Sequence, residues 1–210
     1  MAKFEPSSII KRISKSVGYE TYCQTRGIQV VKSKITTNTS KTKEQRKQRV
    51  RWTVYMALAI IFDRVILIAF PERARTLTPY NSFISMNKDA VTVDDQLATE
   101  VDYAAIQCSA GRLTVPEASV TLDSEKHQLV FTHEATEYSR RAQPTDRLYA
   151  FVVEEKRQEA KLYKLNTRED TTPANASLPA RWTTESLHAY VFALSQNGRQ
   201  ASKTLYLKPE

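Results

Sequence analysis

Three features of the sequence predict an α+β fold in two parts: positive charge collected at one end, a long apolar stretch of helical period, and a run of short alternating segments. The expected architecture is an N-terminal strand and helical-hairpin module over residues 1–96, then an all-β immunoglobulin-like (fibronectin III-like) sandwich over residues 97–210. A chain of 210 residues suffices for one domain of ordinary size or two small ones. Hydrophobic residues at 41% and only 4 glycines exclude a disordered linker or a low-complexity polymer.

The charge pattern comes first, because it divides the chain. Formal net charge is +8, but residues 1–52 hold 13 Lys and Arg against 3 Asp and Glu, a net of +10. Residues 53–96 hold 4 against 5, and residues 97–210 hold 14 against 15. The excess that would attract anionic partners is therefore confined to the first quarter. Within it, Gly27–Lys34 reads as a strand in which Ile28, Val30 and Lys32 share a face, paired with the region of Gly18 to Tyr22.

A helix follows. Thr42 and Gln45 have capping-box spacing, so a helix starts near Lys43 and runs until Pro71 stops it at Phe70. Val54, Leu58, Ile61, Val65 and Ile68 recur at spacings of four and three, and Trp52, Tyr55, Ala59, Phe62, Ile66 and Ala69 form a second stripe. Such a helix is buried on several sides, either as the centre of its own module or, through the first stripe, against another subunit. Thr78 and Pro79 have the order of an N-cap and first turn, opening a second helix over about 79–90 and completing the hairpin.

From Val101 the period changes to two. Expected strands are Val101–Cys108, Arg112–Leu122, His127–His133, Arg147–Glu154, Ala160–Leu165, Ala176–Trp182, Leu187–Leu194 and Ser202–Leu207. Asn197-Gly198 supplies hairpin turn chemistry between the last two. Leu148–Val153 and Leu187–Leu194 are apolar on both faces, which requires cover on both sides, from the helical hairpin or from another molecule.

The chemistry of sites is sparse. Cys23 and Cys108 match no metal, haem or redox spacing and read as reduced, packed thiols. No P-loop, dinucleotide fingerprint, nucleophile elbow or zinc-protease motif occurs, so no catalytic residue, metal ligand or cofactor is assigned. His127 and His133 read as turn or surface residues and His188 as a hydrogen-bonded core histidine. Asp94-Asp95 and Glu154-Glu155 read as solvated charge. Segment 53–70 approaches the length of a membrane span, but Asp63 and Arg64 at its middle would each cost about 2.5–3.5 kcal/mol there, and no membrane partner is expected. The first 20 residues lack the apolar run of a secretory signal, and a virion or cytoplasmic location is expected.

One constellation has physical content. Lys41, Lys43, Arg46, Lys47, Arg49 and Arg51 crowd a helix start, where the macrodipole and mutual repulsion disfavour cations. With Lys11, Arg12, Lys15, Arg26, Lys32 and Lys34 they form the candidate contact for an anionic partner, either the acidic surface of another subunit or nucleic-acid phosphates.

Arg26–Lys34, the Thr42/Gln45/Arg49/Trp52 set, Tyr80-Asn-Ser-Phe-Ile-Ser-Met-Asn87, Ala105 with Gly111 and Leu113, and Ala118–Thr121 appear in succession. This series resembles the landmarks of an uncharacterised bacterial domain family of about 200 residues found in Bacteroidota and their prophages. This chain departs from the pattern in carrying Lys11–Val17 where a glycine-rich opening stands, and Ile35 where a proline stands. The resemblance implies a basic arm, a helical hairpin and an Ig-like domain, and no reaction. The expected function is that of a non-enzymatic structural or interaction protein, a virion or tail accessory component of a phage or phage-derived particle, with other protein subunits as partners. The alternative is a nucleic-acid-associated protein that binds phosphates through residues 1–52.

Overall fold

The computed structural model describes residues 2–4, 13–25, 27–34, 37 and 41–209. It forms two units, Met1–Gln45 and Arg46–Glu210. In the first, β1 (Ala2–Phe4), β2 (Lys15–Val17), β3 (Glu20–Thr25) and β4 (Ile28–Ser33) make an antiparallel sheet in the order β1-β4-β3-β2. Strands β3 and β4 pair from Thr25–Ile28 to Glu20–Ser33, so the strand expected at 27–34 lies against the partner expected for it. Gly18 turns the β2–β3 hairpin with φ +59°, a conformation that other residues adopt at a cost.

The helix opens as its capping residues dictate. The hydroxyl of Thr42 accepts from the Gln45 amide at 3.3 Å, and α1 runs over Lys43–Ile61. It does not continue straight to Phe70. The chain bends by 80° at Phe62 and resumes as α2 (Asp63–Ala69). A straight helix over 43–70 would be about 42 Å long, whereas eight-residue strands such as those it covers span about 26 Å. Bending returns Val65, Ile66 and Ala69 to the core, where each is fully buried. Asp63 at the first position of α2 suits the positive end of that helix and accepts a hydrogen bond from the Tyr80 hydroxyl. No single described helix is long and apolar enough to cross a membrane; only the bent pair α1–α2 meets that test.

Helix α3 (Pro79–Met86) starts as expected, with Thr78 Oγ1 accepting from Asn81 N at 3.1 Å. It ends before residue 90 because Asn87 turns its side chain onto backbone. Nδ2 donates to the carbonyls of Phe83 and Gln107, both at 2.9 Å, and Oδ1 accepts from Gln107 N at 2.7 Å. The chain then forms a short hairpin, β5 (Val91–Val93) with β6 (Thr99–Val101). The strand expected over Val101–Cys108 is absent. Asp102 accepts from the amides of Ala104 and Ala105 and holds Tyr103–Ala105 in a 3-10 turn.

The remaining strands are β7 (Ala118–Asp123), β8 (Gln128–His133), β9 (Arg147–Glu154), β10 (Glu159–Thr167), β11 (Ala174–Ser177), β12 (Leu187–Leu194) and β13 (Leu205–Leu207). They form two antiparallel sheets, β11-β8-β7 and β10-β9-β12-β13. Several are shorter than expected. Strand β7 begins only at Ala118, because Leu113 instead bridges to Ser202. Strand β11 stops at Ser177, just before Leu178 and Pro179. Past the Gly198 turn, the Ser202 hydroxyl accepts from Ala193 N and delays regular pairing until Leu205.

Strands β9 and β12 pair along all eight residues, Arg147–Leu194 through Glu154–Leu187, and apart from Arg147, Tyr149 and His188 every residue of the pair is buried. Ala150, Val152, Ala189 and Val191 pack with Val120, Leu129, Phe131, Ala176 and Trp182 of the three-stranded side. Phe151, Val153, Tyr190 and Phe192 pack with Tyr55, Leu58, Phe62, Ile66 and Phe83 of the helices. The helices and the sheet thus share one core, and the division between units falls at 45/46 instead of 96/97. Phe62, at the bend, sits 4.9 Å from the Phe151 ring, 5.3 Å from Phe83 and 5.7 Å from Tyr190. Phe62→Ala is therefore expected to lower the free energy of unfolding by about 3–5 kcal/mol. Urea denaturation followed by tryptophan fluorescence measures it, and a loss below about 1 kcal/mol would show that the bend does not depend on this cluster.

Candidate interaction surface

The basic residues expected to meet an anionic partner do not behave as one group. Lys11, Arg12 and Arg26 lie outside the described residues. In the first unit, Lys15, Lys32, Lys34 and Lys41 are exposed. On α1, Lys43, Arg46 and Arg49 are exposed, but Lys47 is drawn inward. Its ammonium lies 2.5 Å from Asp95 with the side chain only 18% accessible. Arg51 is half-buried, with an enclosed Nε that has no hydrogen-bond partner. Arg46 and Arg49 have no acidic partner among the described residues.

The apolar stripe weighed as an intersubunit face is turned to this chain's own sheet. Leu58 and Val65 are buried, and Val54, Ile61 and Ile68 pack partly buried against the same core. What the helix shows to solvent is different. Arg46, Arg49, Trp52, Met56 and Ile60 are exposed and recur at spacings of three and four, which places them on one face. Trp52 is 50% exposed, Met56 44% and Ile60 75%. From Arg49 to Ile60 this face extends about 16 Å, basic at its N-terminal end and apolar at its C-terminal end. Beyond the bend, Leu67 is 58% exposed as well. Sequence reasoning assigned Trp52 to a buried stripe and passed over Met56 and Ile60. Their mutual spacing of four was visible, but on a helix apolar nearly all round nothing distinguishes the outer face.

Other titratable groups are held by structure. Glu154, read from sequence as solvated, is fully buried. Its Oε1 accepts from Thr183 Oγ1 at 2.6 Å and Ser186 Oγ at 2.8 Å, and its Oε2 accepts from Arg157 N at 2.6 Å. Burial acts to raise its pKa, and these donors outweigh it, holding the carboxyl below the ordinary glutamate value. Asp94, likewise read as solvated, accepts from the amides of Gln96 and Ala98 at 2.8 Å and shapes the β5–β6 turn. Asp95 is the partner of Lys47. Arg168 and Asp146 form a buried ion pair at 3.3 Å. His188 bonds through both ring nitrogens, to Tyr206 Oη at 2.9 Å and Glu155 at 3.3 Å, and stacks on Tyr103. The His127 ring meets the Pro179 carbonyl at 3.1 Å. Burial pushes the Cys108 thiol up to about 12, so it stays protonated, and Cys23 is a free thiol. Among the described residues no group of three His, Cys, Asp or Glu side chains is placed to hold a metal ion.

The fold and this surface define a mixed α/β protein, with four antiparallel sheets and three α-helices among the described residues and a basic and apolar helix face open to solvent. It belongs to a family of unknown function, DUF6266, whose model matches residues 11–208. No curated protein and no solved structure matches it.

Because the folded-state pKa of Glu154 is depressed, its contribution to stability is full above the ordinary glutamate value. That contribution is lost as pH falls below about 4.5 and through the folded value. Glu154→Gln places an amide N–H against one of three donors and is expected to cost about 1–3 kcal/mol at pH 7. It should also flatten the fall of melting temperature between pH 5 and pH 3. Thermal melts across that range check both effects, and an unchanged acid slope would remove Glu154 from the account.

Proposed function

We propose that the protein is a non-enzymatic structural or interaction protein that docks onto another protein subunit through the solvent face of α1. The observation that carries this reading is the exposure of Trp52, Met56 and Ile60 in line with Arg46 and Arg49, on a helix whose opposite face is locked in a core. Aromatic, Met and Arg side chains are the types enriched where protein surfaces meet. The partner surface is one with an apolar patch beside acidic groups. The remainder of the domain is read as a displayed Ig-like sandwich. The orders β7-β8-β11 and β10-β9-β12-β13 support it, since they follow the A-B-E and C′-C-F-G sheets of fibronectin III-like folds. The assembly served is read as a phage or phage-derived particle, on the resemblance and architecture alone.

Trp52→Ser combined with Ile60→Ser is expected to abolish self-association, or co-purification with a partner subunit, while leaving the melting temperature within about 2 °C, because both residues are solvent-facing. Light scattering after size exclusion reads the mass. A wild-type chain that stays strictly monomeric at high concentration, and binds no acidic protein, would overturn the reading. The second reading, phosphate binding by residues 1–52, is favoured by Arg46 and Arg49, which are exposed and have no acidic partner among the described residues. It predicts duplex DNA binding at 50 mM salt that falls by about 10³-fold or more at 200 mM, and no binding at low salt would sink it.

A further inference from the structure

A cavity of about 330 Å³ lies between the Phe70–Leu77 loop, α3 and the segment Ala110–Arg112, apart from the α1 surface. Phe70, Ala74, Leu77, Met86 and Ala110 give it an apolar lining, and its volume is at the lower end of small-molecule sites, about 300–1,000 Å³. Leu77 and Met86 are each 40% exposed, more than side chains serving only the core would be.

Three polar features make this more than a dent. Ser82 lines the cavity and is 8% exposed, yet its hydroxyl has no hydrogen-bond partner. A serine inside a helix ordinarily bonds back to the preceding turn, and a buried hydroxyl without a partner is uncommon enough to need a cause. Arg73 is pinned across its own loop, with Nε donating to the Leu77 carbonyl at 3.2 Å and Nη1 to that of Phe70 at 3.0 Å. The guanidinium is thereby fixed before any ligand arrives, while Nη2 has no hydrogen-bond partner among the described residues. Glu72, the acid at this site, is already engaged. Its Oε2 accepts from Arg112 N at 2.9 Å, and its Oε1 lies 3.8 Å from Arg112 Nε. Gly111 makes this closure possible, because a methyl at its Cα would overlap the Ala201 carbonyl and the Glu72 carboxylate. With two arginines and one acid, the site has a net charge of +1.

We propose that this cavity binds the carboxylate end of an apolar molecule. The carboxylate meets the free edge of Arg73 and, once a turn about χ1 brings it out of its enclosed position, the Ser82 hydroxyl, and the apolar portion lies on Phe70, Leu77 and Met86. A single negative charge matches the net +1, and a planar carboxylate suits a guanidinium with one open edge better than a phosphate, which calls for more donors than remain. The same chemistry is offered by the C-terminus of a polypeptide ending in an apolar residue and by a free medium-chain carboxylic acid. This site goes beyond the α1 docking reading and does not depend on it.

Titration of the full chain, observed by amide NMR shifts, tests the proposal with N-acetyl-Ala-Leu as the peptide terminus, octanoate as the free acid, and N-acetyl-Ala-Leu-amide as the uncharged control. At least one of the two acids is expected to shift the amides of residues 82–86 and 110–112, and the amide control to bind at least about tenfold more weakly. Preference for the dipeptide identifies a polypeptide end, and preference for octanoate a free acid. Arg73→Gln should raise the dissociation constant about tenfold. Ser82→Ala should raise it several-fold without lowering the melting temperature, a split that a purely structural role would not give. The exposed Arg112→Gln guards against a folding artefact and should weaken binding less than Arg73→Gln. No shift at these amides up to 10 mM of either acid, or equal binding of the amide control, would overturn the proposal.

Discussion

The pairing of β9 with β12 is the constraint from which the rest of the second unit follows. Eight consecutive residue pairs are locked in register, and of their sixteen residues only Arg147 is exposed. Alternate residues of each strand therefore answer to different neighbours: small ones such as Ala150, Ala189 and Val191 to the facing sheet, large aromatic ones such as Phe151, Tyr190 and Phe192 to the helices. This asymmetry of size sets the spacing of the layers. A sheet packed closely on a second sheet accepts Ala and Val, while the rounder surface of a helix pair leaves gaps that rings fill.

The same pairing explains why polar groups at its ends are built in so firmly. Glu154 is the last residue of β9 and lies in alternation with Ala150 and Val152, on the face that has no water to offer. A carboxylate there is tolerable only because Thr183, Ser186 and the Arg157 amide converge on it. Arg168 and Asp146 solve the same problem near the other end of the strand pair by neutralising each other. One partner removed from such a pair leaves the other as an uncompensated buried charge.

What the sequence made legible was periodicity and local capping. Thr42, Thr78 and Pro79 gave helix starts that the structure reproduces, and Leu187–Leu194 and Arg147–Glu154 gave strands with the observed ends. The demand for cover on both faces of those strands was also readable, and the helices supply it. What escaped was set by tertiary contact. The bend at Phe62 has no proline or glycine to announce it, although Asp63, weighed only as an obstacle to membrane insertion, is also a good first residue for a new helix. Asp102 and Asn87, whose side chains replace strand or helix with turns, looked like ordinary polar residues. The surface of α1 was hidden for a related reason: on a helix with apolar residues all round, only the partner decides which of them stay outside. Of the charges, Lys47 and Arg51 looked equivalent to Arg46 and Arg49, yet Lys47 is held by Asp95 and Arg51 is half-buried.

The doubly apolar strands have a consequence for how this chain is made. Leu148–Val153 and Leu187–Leu194 are β-prone and contain no Asp, Glu, Lys, Arg or proline, the composition of segments that pair with copies of themselves when exposed. Both are synthesised after α1, α2 and α3, and after β7 and β8. When each emerges from the ribosome, the helical cover and most of the facing sheet already exist on the same nascent chain. The order of elements along the sequence thus guards these two strands, since the helices and the β7–β8 pair that cover their apolar faces precede both of them.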